Sequence, residues 1–85
     1  MTWRAIPTTT VLELVKEGLG PKKRESIIDS FPTLGDLEDT RGKASKAYKN
    51  FSEFLPEGIG TELAGRIEDA MLDAMAKHSP DLQSI

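Results

Sequence analysis

The stretch Gly18-Leu19-Gly20, followed at once by Pro21-Lys22-Lys23-Arg24, is the part of this chain best suited to hold an anion. Proline is favoured at the first position of a helix, so a helix is predicted to open at Pro21. A helix N-terminus offers free backbone N–H groups and a partial positive charge. Glycines beside it let a ligand approach the backbone closely. One phosphate suits such a turn. Pro21 removes one N–H donor, and Lys22, Lys23 and Arg24 supply charged ones. The same residues equally describe a tight interhelical turn with Leu19 plugged into a core, and composition alone leaves both readings open.

Other polar groups carry less. Lys43, Lys46 and Lys49 recur at intervals of three. With Arg41 they form either an extension of a basic surface or an ordinary solvated helix face. Trp3 and Arg4 precede the first helix, where the indole either covers a core or stacks on a base. Glu68, Asp69 and Asp73 have the spacing of an exposed acidic face rather than of a cation site. His78 stands near a helix end, where it can interact with the dipole. There is no cysteine, hence no thiolate nucleophile or metal ligand. No Ser/His/Asp, Cys/His or convergent carboxylate set is present. The expectation is a protein that is not an enzyme, with no catalytic residues, no metal and no cofactor.

The elements that must position these groups read as helices. Thr10 with Glu13 three residues on fits a capping box, and Val11, Leu12, Leu14 and Val15 make an apolar stripe ended by Gly18. A second helix spans Pro21 to about Phe31, with Ile27, Ile28 and Phe31 inward and Pro32 as its stop. Thr33 can cap a short helical turn carrying Leu34 and Leu37, and Arg41-Gly42 reads as a break. A fourth helix is predicted from about Lys43 to Leu55, burying Ala44, Ala47, Tyr48, Phe51 and Leu55. The last runs from about Thr61 to Lys77, burying Leu63, Ala64, Ile67, Ala70, Met71 and Ala74. Residues 78–85 read as a tail that Pro80 keeps from continuing the helix, and residues 1–8 as an arm. Nothing alternates like a strand. The fold class is therefore all-α, with about five short helices.

An internal repeat lies across these helices. Val15-Lys16-Glu17-Gly18-Leu19-Gly20 and Leu55-Pro56-Glu57-Gly58-Ile59-Gly60 align at an offset of forty residues, and Ile27 then falls on Ile67. Each copy is a helix, a glycine–apolar–glycine turn and a second helix. This pattern resembles the helix-hairpin-helix family. Two copies at about 9–31 and 43–77, joined by a connector at 32–42, resemble the tandem form found in DNA-repair and DNA-processing proteins. The resemblance implies two hairpins related by a pseudo-two-fold axis. It also implies a hold on the DNA backbone through the minor groove, which positions without reading bases. The chain departs from the pattern at Arg24, where a small residue is usual, at Glu17 and Glu57, and at Glu62. The acidic residues around Gly58 and Gly60 predict a second hairpin that is mainly structural.

Charge supports that asymmetry. The net charge is −3, but residues 1–50 carry +2 and residues 51–85 carry −5. Contacts to duplex or branched DNA should come from the first part and be repelled by the last third. The candidate DNA-binding residues are Gly18, Leu19, Gly20, Lys22, Lys23, Arg24, Lys43 and Lys46. The alternative is a protein-interaction or adaptor module of a DNA-processing assembly, docking a partner or a second copy on the acidic C-terminal helix. No signal-like or membrane-spanning stretch is present, so a cytoplasmic location without membrane contact is expected.

Overall fold

The computed structural model describes residues 2–78, and within them the chain forms two single-turn 3-10 segments and four α-helices. The 3-10 turns are Trp3–Ala5 and Phe51–Phe54. The helices are α1 (Thr8–Leu12), α2 (Pro21–Ser30), α3 (Leu34–Lys46) and α4 (Thr61–His78). There is no strand among the described residues, only an isolated bridge between Pro7 and Thr33. No helix there is long and apolar enough to cross a membrane. Residues 79–85, most of the predicted tail, lie outside the described residues.

The core forms around α4, whose Leu63, Ala64, Ile67, Ala70, Met71 and Ala74 are all buried. These positions recur every three or four residues, which puts them on one side of a helix. That side packs against α1 and both 3-10 turns. Ile27 from α2, Leu34 and Leu37 from α3, and Val11 and Leu12 from α1 complete the interior. Of the residues expected to be inward, Ile27, Phe51, Leu55, Ile59, Leu63 and Ile67 are buried. Val15, Leu19, Ile28 and Phe31 are half-buried against the same cluster.

Helix boundaries differ from the sequence reading in several places, and α1 ends at Leu12 rather than running on to Gly18, so Leu14 and Val15 lie in the turn after it. Helix α1 starts at Thr8, so Thr10 lies inside it rather than capping it. The Thr8 N–H donates to the Pro32 carbonyl at 3.0 Å, and its hydroxyl donates to the Phe31 carbonyl. Leu34 N–H donates to the Ile6 carbonyl at 2.8 Å. These bonds to the start of α3 fix where α1 begins, and they are invisible to local pattern.

Helix α3 is thirteen residues long and passes straight through Arg41-Gly42. Thr33 caps it in a reciprocal box: its hydroxyl accepts from the Asp36 N–H, and the Asp36 carboxylate accepts from the Thr33 N–H. An interior glycine costs a helix about 1 kcal/mol. Burial of Leu34, Leu37 and Ala44 on one face outweighs that. At Gly35 a side chain would meet the backbone of the N-terminal segment, since a Cβ there would lie 3.0 Å from the Arg4 carbonyl oxygen. Arg4 itself lies over the Trp3 ring, 5.6 Å from its centroid, and pairs with Asp39 at 2.8 Å. That hydrogen bond holds the Asp39 carboxyl below its ordinary range. Its contribution is present above that range and is lost as pH falls through the lowered value.

The predicted fourth helix is absent. Helix α3 ends at Lys46 in a Schellman motif: Lys49 N–H donates to the Ala44 carbonyl at 2.9 Å and Tyr48 N–H to the Ser45 carbonyl at 3.1 Å. The motif puts Tyr48 in the left-handed region, with φ at 56°. A non-glycine residue pays roughly 1–2 kcal/mol for that conformation. Ala47 and Tyr48 therefore leave the buried face, and Tyr48 is 98% exposed. Phe51 and Leu55 reach the core from the second 3-10 turn and the residue after it.

Candidate nucleic-acid interface

The two glycine turns carry the same backbone bonds forty residues apart. Val15 N–H donates to Leu12 and Leu55 N–H to Ser52; Arg24 N–H donates to Gly20 and Ala64 N–H to Gly60. Gly18 and Gly58 have φ of +90° and +94°, a conformation that favours glycine. Helices α2 and α4 begin at the residues directly after Gly20 and Gly60.

The turns also approach each other's helices at matching positions. A Cβ built at Gly18 would lie 3.6 Å from Leu63 Cδ1 on α4, and one at Gly58 would lie 3.7 Å from Lys23 Cε on α2. Lys23 and Leu63 are themselves forty residues apart. Each glycine turn thus lies beside the first turn of the other helix.

Of the predicted binding residues, Gly18, Gly20, Lys22 and Lys23 are exposed at the start of α2. Lys22 and Lys23 have no ion-pair partner among the described residues. Leu19 is half-buried against the core, so it serves the plug role whatever else the turn does. Arg24 is half-buried, with its Nε buried and without a hydrogen-bond partner. The charge facing solvent at this helix mouth therefore comes chiefly from Lys22 and Lys23. Lys43 and Lys46 are exposed on the last turn of α3, which packs against both 3-10 turns and α1 rather than against α2. The structure thus joins six of the eight residues along one turn and places the two α3 lysines on a separate element.

Arg66 is the residue that sequence reasoning missed. Its Nη1 donates to the Glu17 carbonyl at 3.1 Å, and its Nη2 donates to the Glu62 carboxylate at 2.9 Å. The Glu17 carboxylate lies 3.5 Å from the same nitrogen. Arg66 therefore ties α4 to the first turn. Its spacing from Glu62 was legible as an i, i+4 pair, but nothing local links it to Glu17, forty-nine positions away. The acidic residues expected to repel phosphate at the second turn are also partly committed, since Glu62 already faces Arg66. The pair is exposed, and such pairs are worth at most about 1 kcal/mol. Replacing Glu62 with Lys should therefore lower the melting temperature by only a few degrees, as read by thermal CD. The same change adds two units of positive charge beside the turns, so if duplex DNA reaches this face it should bind more tightly.

Among the described residues, no group of three or more histidine or carboxylate side chains converges as for a metal ion. No protein-family model, curated protein or solved structure matches this chain significantly.

Proposed function

We propose that the chain is a non-catalytic module of tandem helix-hairpin-helix type that holds DNA by its phosphates, without sequence preference, at the turn Gly18–Gly20. The observation that carries the reading is the pair Lys22 and Lys23. They are exposed, and among the described residues without ion-pair partners, at the start of α2, directly after a turn whose first glycine has positive φ. The backbone bonds repeated at an offset of forty, and the matched Gly18–Leu63 and Gly58–Lys23 approaches, support the pairing of two hairpin units.

Binding to random-sequence duplex should be micromolar. If roughly three phosphates are contacted, log affinity should fall against log salt with a slope of about −3. Fluorescence anisotropy on a labelled duplex measures both. Changing Lys22 and Lys23 together to Glu should abolish the signal while leaving the helical CD spectrum intact. Undiminished binding by that double variant would remove the first turn as the site.

The acidic face of α4 favours a second reading, a docking surface for a basic protein. Leu72 is 64% exposed there, in line with Glu68 and Asp69. Capture of one specific protein by the immobilised chain, lost in Leu72→Ser and without any shift of duplex DNA, would favour it.

A further inference from the structure

Tyr48 is the residue in this fold whose placement has no structural return. It occupies the position after a helix that glycine usually fills, at φ 56°, and an aromatic residue there is an outlier. Strain of this kind commonly disappears when a buried side chain does not need it, yet the Tyr48 ring is 98% exposed and its hydroxyl makes no hydrogen bond among the described residues. The backbone bonds of the Schellman motif would form equally well with glycine. What the chain retains by keeping tyrosine is a bare aromatic face held out from the end of α3.

The chain beside that face is rich in lysine, and the nearest acid in sequence, Glu53, is engaged at 3.0 Å by the Asn50 N–H. Lys46 and Lys49 flank it in sequence, Lys43 lies one turn back on α3, and all three are exposed with no ion-pair partner among the described residues. Asp39 feels the charge of Lys43. Beyond Lys49 and Asn50 an open polar groove continues toward Ser45, Arg41 and Glu68. In the chain the ring is flanked by Ala47, Lys49 and Asn50, and among the described residues the other large exposed apolar side chain is Leu72, on α4. A protein partner would need an apolar patch to bury. A nucleobase needs only a π-face, with cations nearby for its phosphates.

We propose that Tyr48, with Lys43, Lys46 and Lys49, is a stacking platform for an unpaired base of single-stranded nucleic acid. A base inside a duplex has both faces covered by its neighbours, so the platform selects an unpaired stretch or end. The site stands on its own element, and it does not depend on the phosphate grip proposed at Gly18–Gly20.

The test is anisotropy of a labelled oligothymidine, run beside thermal CD, on the full chain. Tyr48→Gly should raise the melting temperature, by about 4–8 °C if the relieved strain is near the low end of its usual range. The same variant should weaken oligothymidine binding by roughly five-fold or more. Tyr48→Phe should keep the parent's affinity, because stacking does not need the hydroxyl. Lys46→Glu with Lys49→Glu should weaken binding and flatten its salt dependence. The variant with Lys22 and Lys23 changed to Glu should lose duplex binding yet still bind oligothymidine, so that a failure of the first-turn reading and a failure of this one are told apart. The proposal is overturned if the parent chain does not bind oligothymidine. It is equally overturned if Tyr48→Gly binds as tightly as the parent, or if Tyr48→Phe loses affinity as far as Tyr48→Gly does.

Discussion

Replacing Ile67 with Ala should lower the melting temperature by tens of degrees and leave little folded protein at 37 °C. Ile67 is fully buried at the middle of α4, among Met71, Ala70, Leu63 and the apolar residues of α1 and α2. Truncating a buried isoleucine to alanine costs about 2–5 kcal/mol, depending on how far the neighbours collapse into the space. A domain of this length has a total stability on the order of 4–13 kcal/mol, so one substitution removes a large share. At roughly 4–8 °C per kcal/mol, the drop is about 8–40 °C. Leu72→Ala is the control. Leu72 is on the same helix but 64% exposed, and a surface change there should stay within about 0.5 kcal/mol. Thermal CD on the two variants separates burial from helix propensity, because both remove a branched side chain from α4. Equal melting temperatures would mean that α4 does not pack by the face described.

Gly18→Val should be the most damaging change to the first turn, and worse than Gly58→Val. Both glycines have φ near +90°, so both substitutions meet backbone strain of about 1–3 kcal/mol. Gly18 adds a tight contact that the far end of Arg66 must yield by a few tenths of an ångström to relieve. A Cβ there would sit 3.0 Å from Arg66 Nη1, the nitrogen that holds the Glu17 carbonyl. At Gly58 the nearest atom is the flexible end of Lys23, 3.7 Å away, which is ordinary contact. Valine at position 18 therefore strains the turn and also crowds the end of the arginine that joins it to α4. The expected outcome is a larger fall in melting temperature for Gly18→Val, together with loss of duplex binding. Gly58→Val should lose stability while keeping whatever affinity the first turn provides. Denaturation and anisotropy on both variants give the comparison. A reversed order would place the functional turn at Gly58.

The all-helical class, the start of α2 at Pro21, nearly all of α4 and its buried face followed from local pattern, because capping chemistry and a 3.6-residue apolar period act over a single turn or two. The turns at Gly18 and Gly58 were equally legible, since a glycine with positive φ marks a tight turn in sequence. The candidate residues Gly18, Gly20, Lys22 and Lys23 came from that mark, and their neighbourhood in the chain is also their neighbourhood in space.

Only the tertiary structure decided the rest, wherever a contact across the chain outweighed local preference. Thr8, not Thr10, begins α1 because its N–H and hydroxyl reach the carbonyls of Pro32 and Phe31. The break expected at Arg41-Gly42 did not occur, because Leu37 and Ala44 on either side of it are buried on the same face of α3. Tyr48 left the core because the helix closed on Ala44 and Ser45 two residues earlier, although its spacing from Ala44 and Phe51 fitted a continuing helix. Arg66 reached Glu17 across forty-nine positions. A sequence records the preferences of each residue for its near neighbours, whereas these four outcomes depended on partners that become neighbours only once α4 and α3 have packed.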